Sequence, residues 1–70
     1  RNAEAVTLLR DSIVFNRDKG SPLGLMGNRR AFTALSARLA GRPQHAAGLQ
    51  EAAILLTAGE RELGVPPTSA

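Results

Sequence analysis

The side chains able to do chemistry in this 70-residue chain are few and scattered. His45 is the only histidine and there is no cysteine, so a metal ion would find no second ligand of its usual kind at ligand spacing. Ser21, Ser36 and Ser69 lie in no Gly-x-Ser-x-Gly elbow, and nothing groups a serine with His45 and an aspartate. Glu51, Glu60 and Glu62 could pair for general acid–base work, but that work needs a pocket that shifts carboxyl pKa values, and three small helices hardly form one. Gly20, Gly24 and Gly27 are spaced as in neither phosphate-binding fingerprint and follow no strand, so they read as a turn plus a close helix crossing. The expectation is a chain that is not an enzyme and holds no metal or cofactor, with His45 a surface residue at a helix start.

Charge is the next candidate for function. Nine Lys and Arg face six Asp and Glu, a formal net charge of +3. Arg1 to Asp18 is balanced, Lys19 to Gln50 carries five positive charges and no negative one, and Glu51 to Ala70 carries one positive and three negative. The central arginines Arg29, Arg30, Arg38 and Arg42 form a candidate basic patch that would attract phosphate backbones or an acidic partner. Solvated helix faces would give the same pattern, since adjacent residues such as Arg29 and Arg30 point about 100° apart on a helix. The only aromatics are Phe15 and Phe32, so base stacking is poorly provided for.

The elements that would position these groups are helical. At this length the chain makes one domain, without disulfide or metal staples, and must hold itself together through a small core. Its longest apolar run, Ala52–Leu56, is far too short to span a bilayer. The chain starts at Arg1 with no secretory leader and reads as a piece of a longer, cytoplasmic protein.

Ala5, Val6, Leu9 and Ile13 recur at helical spacing, with Leu8 and Phe15 on a flanking stripe, so a first helix is expected over about residues 3–19, capped by Asn2 and stopped by Lys19-Gly20. Ser21-Pro22 supplies an N-cap and a first-turn proline for a second helix over about 23–40. There Leu25, Phe32, Leu35 and Leu39 fall on one side, and Gly27, Ala31, Ala34 and Ala37 offer a small-residue side for close approach by another helix. Gly24 and Gly27 each cost about 1 kcal/mol against Ala, so fraying is expected at that end. Gly41-Arg42-Pro43 breaks the chain before a third helix over about 44–63, stopped by Gly64. One of its faces carries Ala46, Leu49, Ala53, Leu56 and Leu63, another Ala47, Ile54 and Ala58. Glu60 and Glu62 stand at the wrong end for the helix dipole. The fold class is all-α, three antiparallel helices over 1–64 with a Pro-rich tail at 65–70, and the core is expected from Leu9, Ile13, Leu35, Leu39, Leu49, Ala53 and Leu56.

Compared with itself, the chain aligns Glu4–Ile13 with His45–Ile54 at an offset of 41 residues, matching Ala5 with Ala46, Leu8 with Leu49 and Ile13 with Ile54. A period of this size is a signature of helical solenoids. Ala5-x-x-Leu8-Leu9-x-x-Ser12, the Lys19-Gly20 turn, a Leu/Ala helix and Gly41-x-x-x-x-Ala46 together resemble the degenerate tetratricopeptide repeats of large bacterial MalT-like or LuxR-type ATP-binding transcriptional regulators and the AfsR-like group. Leu39, Gly41, Ala46, Ala47, Leu49, Ala52, Ala53, Leu63, Gly64 and Pro66 follow the order of their last repeats. The chain departs where Arg42-Pro43 replaces the usual Gly-Asp turn and where Ala53 to Leu63 runs longer.

The resemblance implies a tetratricopeptide-like repeat fragment, a protein-interaction or effector-sensing module of a bacterial signal-transducing regulator. Its partners would be a protein, a peptide or neighbouring domains of the parent chain. Nucleotide and DNA binding would lie elsewhere, since no Walker motif and no recognition-helix signature occurs here. The alternative is a small basic three-helix nucleic-acid binder using Arg29, Arg30, Arg38 and Arg42. If the expected core is right, Leu49→Asp unfolds the chain, and helical circular dichroism with an unaltered melt contradicts it.

Overall fold

The computed structural model describes residues 1–66. It is all-α: α1 (Asn2–Asp18), α2 (Pro22–Arg38) and α3 (Ala46–Leu63), with a 3₁₀ turn at Pro43–His45 and no strand among the described residues. Short connections make consecutive helices antiparallel, and each helix packs against both others.

The boundaries follow from local chemistry. Arg1, not Asn2, is the N-cap of α1; Asn2 already lies in the first turn, and no side chain caps it. At the other end Lys19 stays right-handed and Gly20 takes φ +71°, a region that costs any residue with a Cβ. That turn lets Gly20 N–H reach Arg17 O at 3.1 Å and Ser21 N–H reach Asn16 O at 2.9 Å, satisfying carbonyls the helix leaves open. Ser21 then caps α2 as its type and place predict, its Oγ accepting from Gly24 N–H at 3.0 Å with Pro22 in the first turn. The third helix begins later than its pattern suggests, because Pro43, Gln44 and His45 form the tighter turn first. Its end is fixed by Gly64 at φ +70° and by Val65 N–H donating to Glu60 O at 2.9 Å. Val65 packs against the core instead of starting a tail, and Pro67–Ala70 lie outside the described residues.

Val6, Leu9 and Ile13 from α1, Leu25 and Leu35 from α2, Leu39 just beyond it, and Ala52 and Leu56 from α3 form the core. Leu49 and Ala53, expected there, are only half-buried, because α3 turns its Ala52–Leu56–Gly59 stripe inward. One polar side chain joins the core: Asn28 accepts from Asn16 Nδ2 at 2.8 Å and donates to Ser12 Oγ at 2.9 Å, tying α1 to α2. Both of its hydrogen-bonding ends are used, which offsets the cost of burying the amide.

Close helix contact is made by other small residues than the expected side of α2. Gly27, Ala31, Ala34 and Ala37 are exposed, and a Cβ at Gly27 would meet nothing within 4 Å. The approaches occur at Gly48, where a Cβ would lie 2.8 Å from Val6 Cγ1, and at Gly59, where it would lie 3.1 Å from Leu25 Cδ1 and 3.3 Å from Arg17 Cδ. At Gly24 it would collide with the Asn16 side-chain amide. The start of α2 is therefore held by a capped turn and a close packing contact, and it stays helical where fraying was expected.

Two glycines one turn apart should respond oppositely to the same change. Gly27→Ala is expected to raise stability by about 0.5–1 kcal/mol, since it adds helix propensity in open space. Gly24→Ala should lower it by about 1–3 kcal/mol by displacing Asn16 from Asn28. Urea unfolding followed by circular dichroism reads both. The same assay should show Leu56→Asp far more damaging than Leu49→Asp, since position 56 has no exposure and position 49 has a route to water.

Candidate interaction surface

Three helices create three grooves, and the charged side chains sort among them unevenly. Arg29 on α2 grips Glu60 on α3 with two bonds, Nε to Oε2 at 3.0 Å and Nη2 to Oε1 at 2.6 Å, and its Nη2 also approaches Thr57 Oγ1 at 3.4 Å. The same guanidinium lies 5.5 Å from the centroid of the Phe32 ring. Arg17 on α1 holds Glu62 in the same two-point manner, at 2.8 and 2.7 Å. Arg10 lies 3.7 Å from Glu51 and 3.1 Å from Asp11.

The hydrogen bonds from Arg17 hold the Glu62 carboxyl below the usual carboxylate range, and those with Glu62 and Glu60 push Arg17 and Arg29 further above theirs. Glu60 and Glu62 sit against the helix dipole, which is unfavourable for a carboxylate, and cross-helix arginines offset it. Sequence carried one hint of these clamps, that two carboxylates at a helix C-terminus need cations nearby. It carried none of the pairing, because Arg17 and Glu62 are 45 positions apart.

The four arginines of the expected basic patch do not line one surface. Arg29 is committed to Glu60. Arg30 shares with Arg29 a recess that Met26, Thr33, Val65 and Pro66 also line, Arg38 borders the α1–α2 groove beside Leu8 and Ala34, and Arg42 stands at the turn before α3. His45 caps α3 by position, with no side-chain cap hydrogen bond. Among the described residues no three His, Cys, Asp or Glu side chains cluster as metal ligands would, and no helix is long and apolar enough to cross a membrane.

The α2–α3 groove has the most distinctive chemistry. Phe32, Leu49, Ala53, Ile54 and Ala58 make its floor, Gln50 and Thr57 its polar points, and Arg61 one end. A second hollow, sharing Leu49 with it, extends the apolar surface to the turn Gly41–Pro43, where Arg42 stands. Ile54 is 62% exposed at its centre. The α1–α3 groove also has an apolar part, Val14, Phe15 and Leu55, but Arg10, Asp11, Asp18 and Glu51 mix both signs along it. In the α1–α2 groove Leu8 stands open beside Ala31 and Ala34. Sequence reasoning assigned Ile54 to a second face of α3; only the packing identifies that face as a groove. Compared with protein-family models, curated proteins and solved structures, the chain finds no match.

The Arg17–Glu62 clamp gives a pH signature. Glu62 is held below its ordinary pKa in the folded state, so the unfolded chain binds its proton first and stability rises with pH through that window. The gap in urea midpoint between wild type and Glu62→Gln should be present at neutral pH and close as the pH falls below the ordinary carboxylate range. A gap that stays constant into acid contradicts the clamp.

Proposed function

We infer that this chain is a non-catalytic helical-repeat module, one unit and part of the next, whose open faces receive helices from a neighbouring domain or a partner protein. The carrying observation is the reciprocal burial of residues paired at the 41-residue offset. Ile13 has no exposure, whereas Ile54 is 62% exposed; Leu8 is 68% exposed, whereas Leu49 is half-buried. Stacked units cover one another in this way, each burying one side of its first helix against the unit before and the other side against its own second helix. Among the described residues no helix precedes α1, which bares Leu8, and none follows α3, which bares Ile54. The contact of α3 with both α1 and α2 supports the same reading.

With the resemblance of its turns and Leu/Ala spacing, the module is proposed as part of a bacterial signal-transducing transcriptional regulator, where it would hold a partner or sense an effector. The nucleic-acid reading has less to rest on, since Arg29 is clamped and Arg30, Arg38 and Arg42 border different surfaces.

Selection of displayed helical peptides on the full chain tests the reading. Amphipathic helices should be enriched, and Ile54→Asp, at an exposed position that leaves the helical circular dichroism intact, should weaken the selected binders by about tenfold or more, since it sets a carboxylate against their apolar stripe. No enrichment, or binders indifferent to Ile54→Asp, overturns it. So does tight binding of duplex DNA that falls steeply between two salt concentrations.

A further inference from the structure

We propose that the α2–α3 groove takes an acidic amphipathic helix of about four turns, its apolar stripe on Ile54 and its neighbours and its carboxylates placed at both ends, against Arg42 and Arg61. The proposal rests on the interaction-module reading and adds the chemistry of the partner.

Charge placement is the argument. Of the six residues of α3 and its flanks that carry formal charge, Arg42, Glu51, Glu60, Arg61, Glu62 and the distant Arg38, only Arg42 and Arg61 line this groove and the hollow that extends it. No carboxylate does, although α3 carries three: Glu51 is drawn to Arg10, Glu60 to Arg29 and Glu62 to Arg17. Arg42 and Arg61 have no ion-pair partner among the described residues. An apolar floor with a cation at each end and no competing anion selects a ligand of the opposite pattern.

Length agrees. From Ala46 to Arg61 α3 rises roughly 22 Å, and Arg42 stands one short turn before it, so a docked helix of at least about 15 residues is needed to span the two cations. A nucleic-acid backbone fits worse, because its charges recur every few ångströms and would cross the uncharged stretch over Leu49, Ala53 and Ile54. The other grooves lack this pattern: the α1–α3 groove sets Arg10 among the carboxylates of Asp11, Asp18 and Glu51, and the α1–α2 groove carries only Arg38.

Two fluorescein-labelled helical peptides of about 15 residues, with the same Leu stripe but paired Glu or paired Lys at both ends, test the proposal by anisotropy on the full chain. The wild type should bind the Glu-ended peptide about tenfold more tightly than the Lys-ended one. The double variant Arg42→Glu/Arg61→Glu should reverse that order. Arg42→Gln/Arg61→Gln should abolish the preference, and it serves as the readout if the charge-reversed chain loses its helical circular dichroism. Equal binding of the two peptides by wild type, or an order unchanged in both double variants, overturns the acidic partner; if Ile54→Asp still abolishes binding, the groove reading survives. Binding of neither peptide, or binding untouched by Ile54→Asp, removes both. A 20-base-pair duplex that displaces the Glu-ended peptide from the wild type assigns the cations to nucleic acid and overturns the proposal.

Discussion

The close approach of α3 to its two neighbours governs this molecule. A chain near 70 residues with no cysteine for a disulfide buries only about 60% of its unfolded surface, and its core rarely yields more than about 3–5 kcal/mol net. Contact must therefore be dense where it exists. Gly48 admits Val6, and Gly59 admits Leu25 and the stem of Arg17, so the inward stripe of α3 needs only Ala52 and Leu56 to fill the centre. Larger side chains at 48 or 59 would push α3 away from both partners at once, since each helix packs on the other two.

The same approach decides where charge goes. With Arg17 lying along Gly59, its guanidinium reaches Glu62, and from α2 Arg29 reaches Glu60. Both are two-point bonds between helices distant in sequence, and they are compatible only with the rotation of α3 that turns Ala52, Leu56 and Gly59 inward. The Arg29–Glu60 pair is the better shielded, with side chains 24% and 14% exposed. By turning the carboxylates of α3 toward arginines of α1 and α2, the clamps leave its remaining outer side uncharged between Arg42 and Arg61. Stability and surface chemistry thus have one geometric cause.

Much of the architecture was legible because it rests on local rules. Ser21-Pro22 and the turns at Gly20 and Gly64 work through one or two residues each, and helical spacing finds Leu9, Ile13, Leu35, Leu39 and Leu56 without tertiary knowledge. What escaped depends on which side of a wide apolar arc faces inward. On α3, Ala52 and Gly59 are less hydrophobic than Leu49 and Ile54, yet they face the core, because small residues permit the approach that large ones would block. Asn28 was missed for a related reason: a buried polar residue gains its place from partners on another helix, here Asn16 and Ser12, whereas Val6 and Leu25 were read on the apolar faces of their helices and only left out of the expected core. The candidate surface was less legible still. Arg29 reads as free until Glu60 is seen beside it, and the side of α3 holding Ile54 is a groove only because Phe32 of α2 lines it together with the residues of α3.

The internal offset connects these points. If the first and third helices were equivalent units of a repeat, a bundle with a single helix between them would leave opposite faces of the two uncovered. Ile13 is covered where Ile54 is open, and Leu49 is partly covered where Leu8 is open. Among the described residues, α1 and α3 thus turn different parts of the aligned stretch to solvent. An isoleucine left at 62% exposure in a chain with so small a core forgoes roughly 1–2 kcal/mol of burial. Such a residue contributes to stability only when a further helix closes over it, so the feature that weakens the isolated bundle is the one that would strengthen its complex.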